Sequence, residues 1–290
     1  MNTTDRPAPP PASPAPKRVE LPYFPGKYRC ALTTSWDDGT IHDRRLVAFM
    51  NEVGLKGTFN LNSSLLGRTC EGWHNYIGAD EVAPLYAGHE VAIHSADHPW
   101  LDKLEPSQIV AELLDDRRAL EDLVGYPVRG MAYPFGTYDA RVLAALLALG
   151  IVYSRTVESR DNPWPAPEPL TWAATCHIFT TQPKPLNERF ADWHGSWAPR
   201  LFYVWGHSYE FEDRKDWAAL ERLLKPLAGH ADVWYCTNIE LFDYDEARRR
   251  MIIAANRRTA YNPSARTVTL LVDGKPVDVA GGQMVRLDQP

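Results

Sequence analysis

Two short segments of the sequence carry residue types that bind divalent metal ions. Asp37 and Asp38 are adjacent, and His94 and His98 lie four positions apart. Two neutral imidazoles and one carboxylate form a set of ligands that leaves other coordination positions of the ion open. One aspartate can then bind the ion while the other stays free as a base. We predict a metal site formed by the two histidines and one of the two aspartates.

Each segment alone also has a simpler interpretation. Asp and Gly are common turn residues, so Asp-Asp-Gly at 37–39 fits an ordinary turn. Two nearby histidines equally fit a structural pair held by neighbouring polar groups. A third segment, Gly-His-Ser at 206–208, adds His207 as a candidate. All three segments follow predicted strands, and this common position favours one shared site.

The elements that position these residues alternate between strand-like and helix-like patterns. Predicted strands are 28–35, 57–61, 90–93, 130–133, 151–156, 171–179, 201–205 and 233–236, and predicted helices are 46–53, 79–86, 106–124, 140–149, 213–227 and 240–255. Such alternation predicts parallel strands covered by helices. Seven or eight such units fit a (β/α) barrel better than an open sheet, and a barrel places chemical residues at the carboxyl ends of its strands.

The motifs and their order resemble those of the polysaccharide deacetylases, carbohydrate esterase family four. SWDDG at 35–39 looks like the first family motif, and HSADHP at 94–99 matches its H-[ST]-x-x-H motif. YPFG at 133–136 resembles the third motif, and WGHS at 205–208 resembles the late motif that ends in a catalytic histidine. The resemblance spans about residues 28–243 and implies an α/β fold of the distorted (β/α)7-type barrel.

The resemblance also implies a role for each matching residue. Asp37 is expected to be the general base, and Asp38, His94 and His98 are expected to hold a metal ion, usually zinc in this family. The implied reaction is removal of an N-acetyl group from an amino sugar or oligosaccharide, with metal-bound water as the nucleophile. His207 is expected to protonate the leaving amine.

Three further residues complete the expected site. The backbone N–H of Phe135 is expected to stabilise the oxyanion. Tyr133 and Trp205 are candidates for the flat walls on which sugar rings stack, and packing in the core is the alternative interpretation of both.

Two positions depart from the family pattern. Family members commonly have an arginine that tethers the base two residues before the proline of the third motif, and Ala132 stands there in this sequence. Arg129 is the nearest replacement along the chain. The aspartate that usually orients the catalytic histidine is not evident, and Asp192 and Glu210 are the candidates for that role.

Composition narrows the partners and the compartment. The chain has 290 residues, 31 Lys and Arg against 37 Asp and Glu, and a net charge of −6, which argues against a general nucleic-acid binder. No apolar run is long enough to cross a membrane. The four cysteines have no C-x-x-C spacing, and residues 1–16 contain no apolar signal-like run, so we expect a cytoplasmic protein with free thiols.

The chain is predicted to have three parts. Residues 1–20 are rich in proline and are expected to be a disordered tail, residues 21–257 the barrel, and residues 258–290 a small β appendage. Within the appendage, Asp273-Gly274 between two apolar runs predicts a hairpin. Its edge offers a surface for pairing with a second copy of the chain.

Two other functions remain open at this stage. A metal-dependent amidase could act on a C–N bond outside sugars, such as that of a ureide or a formamide. A non-catalytic carbohydrate-binding barrel is the third hypothesis, and Ala132 in place of arginine is its main support.

Overall fold

The computed structural model describes residues 16, 18–26, 28–195, 198 and 200–288. Contacts divide the described residues into a larger unit, Tyr28–Phe242, and a smaller one drawn from Met1–Lys27 and Asp243–Pro290. The proline-rich segment 1–15 lies outside the described residues. Val19–Glu20 already forms a strand, so the tail predicted over 1–20 is wrong at its carboxyl end. The predicted division at residue 257 stays a prediction.

The larger unit is built around one sheet of parallel strands. These strands are β2 (Cys30–Asp38), β3 (Thr58–Leu61), β4 (Glu90–Ile93), β5 (Gly130–Ala132), β6 (Tyr153–Ser159), β7 (Trp172–Ala174), β8 (Cys176–His177), β9 (Arg200–His207) and β10 (Val233–Tyr235). Their order is β7-β6-β5-β4-β3-β2-β9-β8, and β10 pairs with the first residues of β2. The α/β fold with parallel strands confirms the predicted class.

The sheet closes on itself through one short segment. Residues 172–177 pair with β6 through β7 and with β9 through β8, and between them Thr175 donates its backbone N–H to Tyr203 O at 2.8 Å. The ring therefore contains β2, β3, β4, β5, β6, the β7–β8 segment and β9. This is the distorted seven-stranded barrel that the sequence predicted.

The helices of the described residues are α1 (Asp43–Val53), α2 (Val82–Leu85), α3 (Pro106–Val124), α4 (Ala140–Ala148), α5 (Leu186–His194), α6 (Tyr209–Asp213) and α7 (Asn238–Arg249). The predicted bounds of α3 are confirmed, with Pro106 in the first turn and Gly125 ending the helix in a left-handed conformation. Each helix in this described part of the chain is too short or too polar to cross a bilayer.

The helix predicted over 213–227 is wrong. A π-helical segment, Leu220–Leu224, and a 3₁₀ turn, Lys225–Leu227, occupy most of it. Pro226 has no N–H to give to the carbonyl four residues earlier and clashes with it. That carbonyl, on Arg222, instead accepts a hydrogen bond from Asn187 Nδ2 at 2.7 Å.

The smaller unit consists of short antiparallel strands. One sheet has the order β1 (Val19–Glu20), β13 (Val268–Val272), β14 (Lys275–Val279), and the other has the order β11 (Ile252–Ile253), β12 (Thr259–Tyr261), β15 (Met284–Arg286). The predicted hairpin is present, because Val272 pairs with Lys275 around Asp273-Gly274, and both turn residues have positive φ. The last predicted helix ends at Arg249 because the following apolar residues join β11.

The contact between β5 and β6 yields the first prediction. A Cβ at Gly130 would collide with the ring and hydroxyl of Tyr153, which is fully buried and donates to Glu90 Oε1 at 2.7 Å. We expect Gly130→Ala to lower the free energy of unfolding by about 2 kcal/mol, measured by urea denaturation. Gly195→Ala, where the nearest atom is 3.4 Å away, is the control and should change it by less than about 0.5 kcal/mol. Equal losses in both variants would contradict this account of β5.

Candidate active site

The predicted metal ligands meet at the carboxyl ends of β2 and β4. The Nε2 atoms of His94 and His98 each lie 3.5 Å from Asp38 Oδ1, and one donor atom from each of the three residues lies within 4.8 Å of the others. Asp38 and His94 are buried, and His98 is partly exposed. The structure thus brings together the two histidines and the second aspartate.

A hydrogen bond at His94 and burial at His98 suit the two histidines to binding a metal. His94 Nδ1 donates to Ala132 O at 2.7 Å, which leaves the lone pair of Nε2 directed toward Asp38. Burial, together with the neighbouring His94, lowers the pKa of His98 to about 4, so this imidazole is neutral. Two imidazole nitrogens and one carboxylate oxygen fit the donor set that zinc prefers.

Backbone strain concentrates at this end of the barrel. Among the described residues, non-glycine residues with a positive backbone angle φ include Asp38 (79°), Ser95 (61°), His98 (58°) and Phe135 (57°). Such conformations cost free energy and persist only where the surrounding structure enforces them. Their grouping around the ligands points to a functional arrangement rather than to ordinary turns.

Asp37 lies beside the ligand set and is held through both carboxylate oxygens. Asn60 Nδ2 donates to Oδ1 at 2.8 Å, and the guanidinium of Arg155 makes an ion pair with Oδ2. Burial alone would raise the pKa of Asp37, but the charge and hydrogen bond of the adjacent Arg155 guanidinium outweigh it, and the pKa lies well below its usual range. Asp37 is therefore an ionised carboxylate that can accept a proton.

His207 faces Asp37 from the neighbouring strand. The two residues are partners in the register of β2 and β9, and His207 Nε2 lies 3.8 Å from Asp37 Oδ2. Burial lowers the pKa of His207, but the hydrogen bond to Glu210 and the charge of Asp37 outweigh it, so the net shift is upward. The raised pKa favours the protonated form of this imidazole, which can donate a proton.

Glu210 is the carboxylate that orients His207. Its Oε2 lies 3.4 Å from His207 Nδ1, accepts the backbone N–H of His207 at 3.0 Å and lies 3.0 Å from His177 Nε2. Burial raises the pKa of Glu210, but the two histidines lower it by more, and the resulting pKa is about 2. Asp192, the other candidate, pairs instead with Lys184 on the exposed surface.

One cavity of about 580 Å³ has a lining rich in aromatic rings. Its polar lining includes Asp37, Asp38, His94, His98 and His207. Trp205 lies under the Arg155 guanidinium at 4.3 Å, and Phe135 packs its edge against His98 with ring centroids 4.5 Å apart. Tyr133 reaches the cavity but is 2% exposed and donates its hydroxyl to Leu170 O. Trp73, about half exposed on the loop after β3, forms another part of the wall.

Sequence comparisons identify a family and a relative to which this chain is similar. Residues 27–154 match the family model described as polysaccharide deacetylase. Chitin deacetylase 1 of Cryptococcus neoformans is 26% identical over 162 residues, 55% of this chain and 28% of that protein.

Over residues 27–154 this chain is similar to the polysaccharide deacetylases. The chain spans less than half the length of the curated relatives that it matches.

Solved structures share the fold of this chain at low sequence identity. A putative polysaccharide deacetylase from Mycobacterium smegmatis has a TM-score of 0.56 and 15% identity, covering 82% of this chain and 96% of that one. The structure titled Puue allantoinase has a TM-score of 0.57 and 16% identity, covering 76% and 91%. These likenesses concern the barrel itself.

The chain departs from the pattern of the polysaccharide deacetylases at the tether of Asp37. Arg129 precedes β5 and so lies at the amino end of that strand, whereas the arginine that contacts Asp37 is Arg155 on β6. The matched segment ends at residue 154, one position before it. The only sequence signal for Arg155 was a charged residue inside an otherwise uncharged stretch of strand, and this signal named no partner.

The Glu210 contact predicts a change in the titration of His207. Replacing Glu210 by Gln removes a negative charge that favours the imidazolium, so the pKa of His207 should fall in the metal-free protein. An NMR titration of the imidazole signals measures this shift. Asp192→Asn is the matched control and should leave the titration unchanged. The opposite ranking of the two variants would reject Glu210 as the orienting group.

Proposed function

We propose that this protein is a metal-dependent hydrolase that removes the N-acetyl group from an amino sugar or oligosaccharide. The observation that carries the proposal is the convergence of three groups in one cavity: a metal-type ligand set, an ionised carboxylate and an imidazole with a raised pKa. The similarity of residues 27–154 to the polysaccharide deacetylases supports the substrate class.

Asp38, His94 and His98 are the residues that would hold the ion, and their nitrogen and oxygen donors favour zinc. When bound there, a divalent ion supplies Lewis-acid polarisation of the amide carbonyl and lowers the pKa of a nearby water. Ala132 O fixes the ring of His94, and burial keeps His98 neutral, so the chain itself prepares the ligands.

Asp37 and His207 would divide the proton transfers between them. Asp37 is ionised and held at both oxygens, so it serves as the base that takes a proton from the attacking water. His207, whose pKa Glu210 raises, would give a proton to the leaving nitrogen. Because Asp37 and His207 are partners on adjacent strands, they would act on the same amide.

The cavity wall would position the acyl group and the sugar. The backbone N–H of Phe135 is the proposed donor to the oxyanion, and the strained conformation of this residue supports a functional role. Trp205 and Tyr133 supply apolar faces in the cavity, with Trp205 the more exposed of the two.

The cysteines bear on the compartment, and two alternative functions are weighed against the proposal. All four cysteines are free thiols, which supports a reducing compartment such as the cytoplasm. Hydrolysis of a ureide is the second candidate reaction, and we propose to test it in the same assay. The ion pair between Arg155 and Asp37 weighs against a non-catalytic barrel, since the buried base has a tethering arginine after all.

Replacing the base tests the proposed reaction. We expect Asp37→Asn to lower kcat for acetate release from chitooligosaccharides by about 10²- to 10⁴-fold, because the amide cannot accept the proton. Asp80→Asn, at an exposed position, serves as the control and should behave like wild type. If Asp37→Asn released acetate as fast as the wild type, Asp37 would not be the base. Release of ammonia or urea from a ureide, with no acetate from any sugar, would favour the second reaction.

Removing the metal tests the ligand set. Chelation should abolish hydrolysis, and added zinc should restore it and raise the unfolding temperature of the wild type, because the ion binds only the folded site. His98→Asn should lose most of this thermal response, whereas His230→Asn, whose ring bonds Pro226 O, should keep it. A zinc response of equal size in His98→Asn would show that the ion binds elsewhere.

A further inference from the structure

Arg155 is an arginine buried in the middle of the barrel. It is 1% exposed, and arginine is almost never fully buried unless its charge is paired. Its Nη2 contacts Asp37, its Nε lies 3.3 Å from Ser35 Oγ, and its Nη1 donates to Thr156 O at 3.2 Å. The ring of Trp205 covers the face of the guanidinium at 4.3 Å. The planar group is therefore fixed along its edge and on one face.

The contact from Arg155 to Asp37 crosses the inside of the barrel. Arg155 belongs to β6, and Ser35 and Asp37 belong to β2, three strands away along one side of the ring. Ser35 and Asp37 are two residues apart, so they share a face of β2, and that face points inward. One guanidinium thus joins two opposite walls of the barrel at the level of the candidate base.

Strand β5 leaves the space that Arg155 fills. In the register of β5 and β6, Gly130 pairs with Tyr153, and Ala132 pairs with Arg155. A side chain at Gly130 would collide with the Tyr153 ring, so Tyr153 occupies the volume on the inner side of β5. Arg155 and Ala132 follow two residues later on the same faces. Two small residues on β5 therefore complement two large ones on β6.

We propose that Arg155 is the positioning residue of Asp37, and that it acts from β6 in place of an arginine at position 132. Asn60 holds one oxygen of Asp37 and Arg155 holds the other, so the carboxylate keeps a single orientation toward His207. The inference rests on the proposed function, in which Asp37 is the base. An alternative role for Arg155 is only to balance a buried charge, and the experiments below separate the two roles.

Relocating the arginine tests the positioning role. Arg155→Ala should lower kcat by about 100-fold with KM little changed, because the base loses its orientation while the cavity wall remains. The double variant Ala132→Arg/Arg155→Ala should recover about tenfold of that loss, since position 132 neighbours position 155 in the register. Ala132→Met/Arg155→Ala is the matched control, with a long side chain and no charge, and should recover nothing.

A stability measurement on the metal-free protein gives a second readout. Asp37→Asn and Arg155→Met should each lower the unfolding temperature, because each leaves a buried charge unpaired. The double variant should unfold at a higher temperature than the sum of the two losses predicts, since the charges disappear together. Zinc stoichiometry should stay at the wild-type value in Arg155→Met, because the hydrogen bonds of Arg155 go to Ser35, Thr156 and Asp37 and not to the three proposed ligands.

The outcomes separate this inference from the proposed function. Unchanged kcat in Arg155→Ala, equal recovery with methionine at position 132, or additive losses of unfolding temperature would each overturn the positioning role. Absence of hydrolysis by the wild type on every amide would overturn the proposed function itself. Loss of kcat, recovery with arginine alone and coupled unfolding temperatures together support the inference.

Discussion

The ion pair between Asp37 and Arg155 is the constraint around which the site is built. Two opposite charges in a buried place are tolerated only when their geometry is good and their remaining hydrogen-bonding atoms are satisfied. Asn60 and Ser35 supply polar partners, and Trp205 packs against the guanidinium. Every one of these partners sits on a strand of the barrel, so the charge pair depends on the ring being closed. In return, the pair keeps Asp37 ionised next to a metal-type ligand set.

Closure of the ring depends on a modest element, the segment 172–177. It pairs with β6 on one side and with β9 on the other, so the strand that carries Arg155 and the strand that carries His207 belong to one continuous wall. Side chains from β2, β6 and β9 can then meet in the interior. The strained residues Asp38, His98 and Phe135 lie at the same rim, where the barrel supports conformations that an isolated turn would not keep.

A similar division of labour surrounds His207. Asp37 and Glu210 lie on two sides of one imidazole, and both negative charges raise its pKa against the effect of burial. Glu210 also contacts His177, so the same carboxylate links β8 to α6. The two proton-transfer groups are thereby tuned in opposite directions by neighbours of opposite charge, which is how one site can hold an acid and a base at one pH.

Sequence reasoning reached much of the fold because its signals are local. The long helix α3 was predicted with its bounds because a proline, an apolar period and a glycine mark it within twenty residues. The segment 213–227 was wrong because Pro226 sits inside a convincing helical pattern. The strand ends that carry Asp37, Asp38, His94 and His207 were also local, since each motif adjoins an apolar run. The structure brings these four residues together in one cavity.

By itself, the sequence determined the types of groups in the site, the order of the strands that carry them and the class of barrel, because these depend on neighbours along the chain. Only the tertiary structure decided which arginine contacts Asp37. Arg155 lies 118 positions from its partner, and the register between distant strands, not sequence proximity, brings the two together. In the same way, only the folded chain shows that Glu210 lies within reach of His207, whereas Asp192 pairs with Lys184.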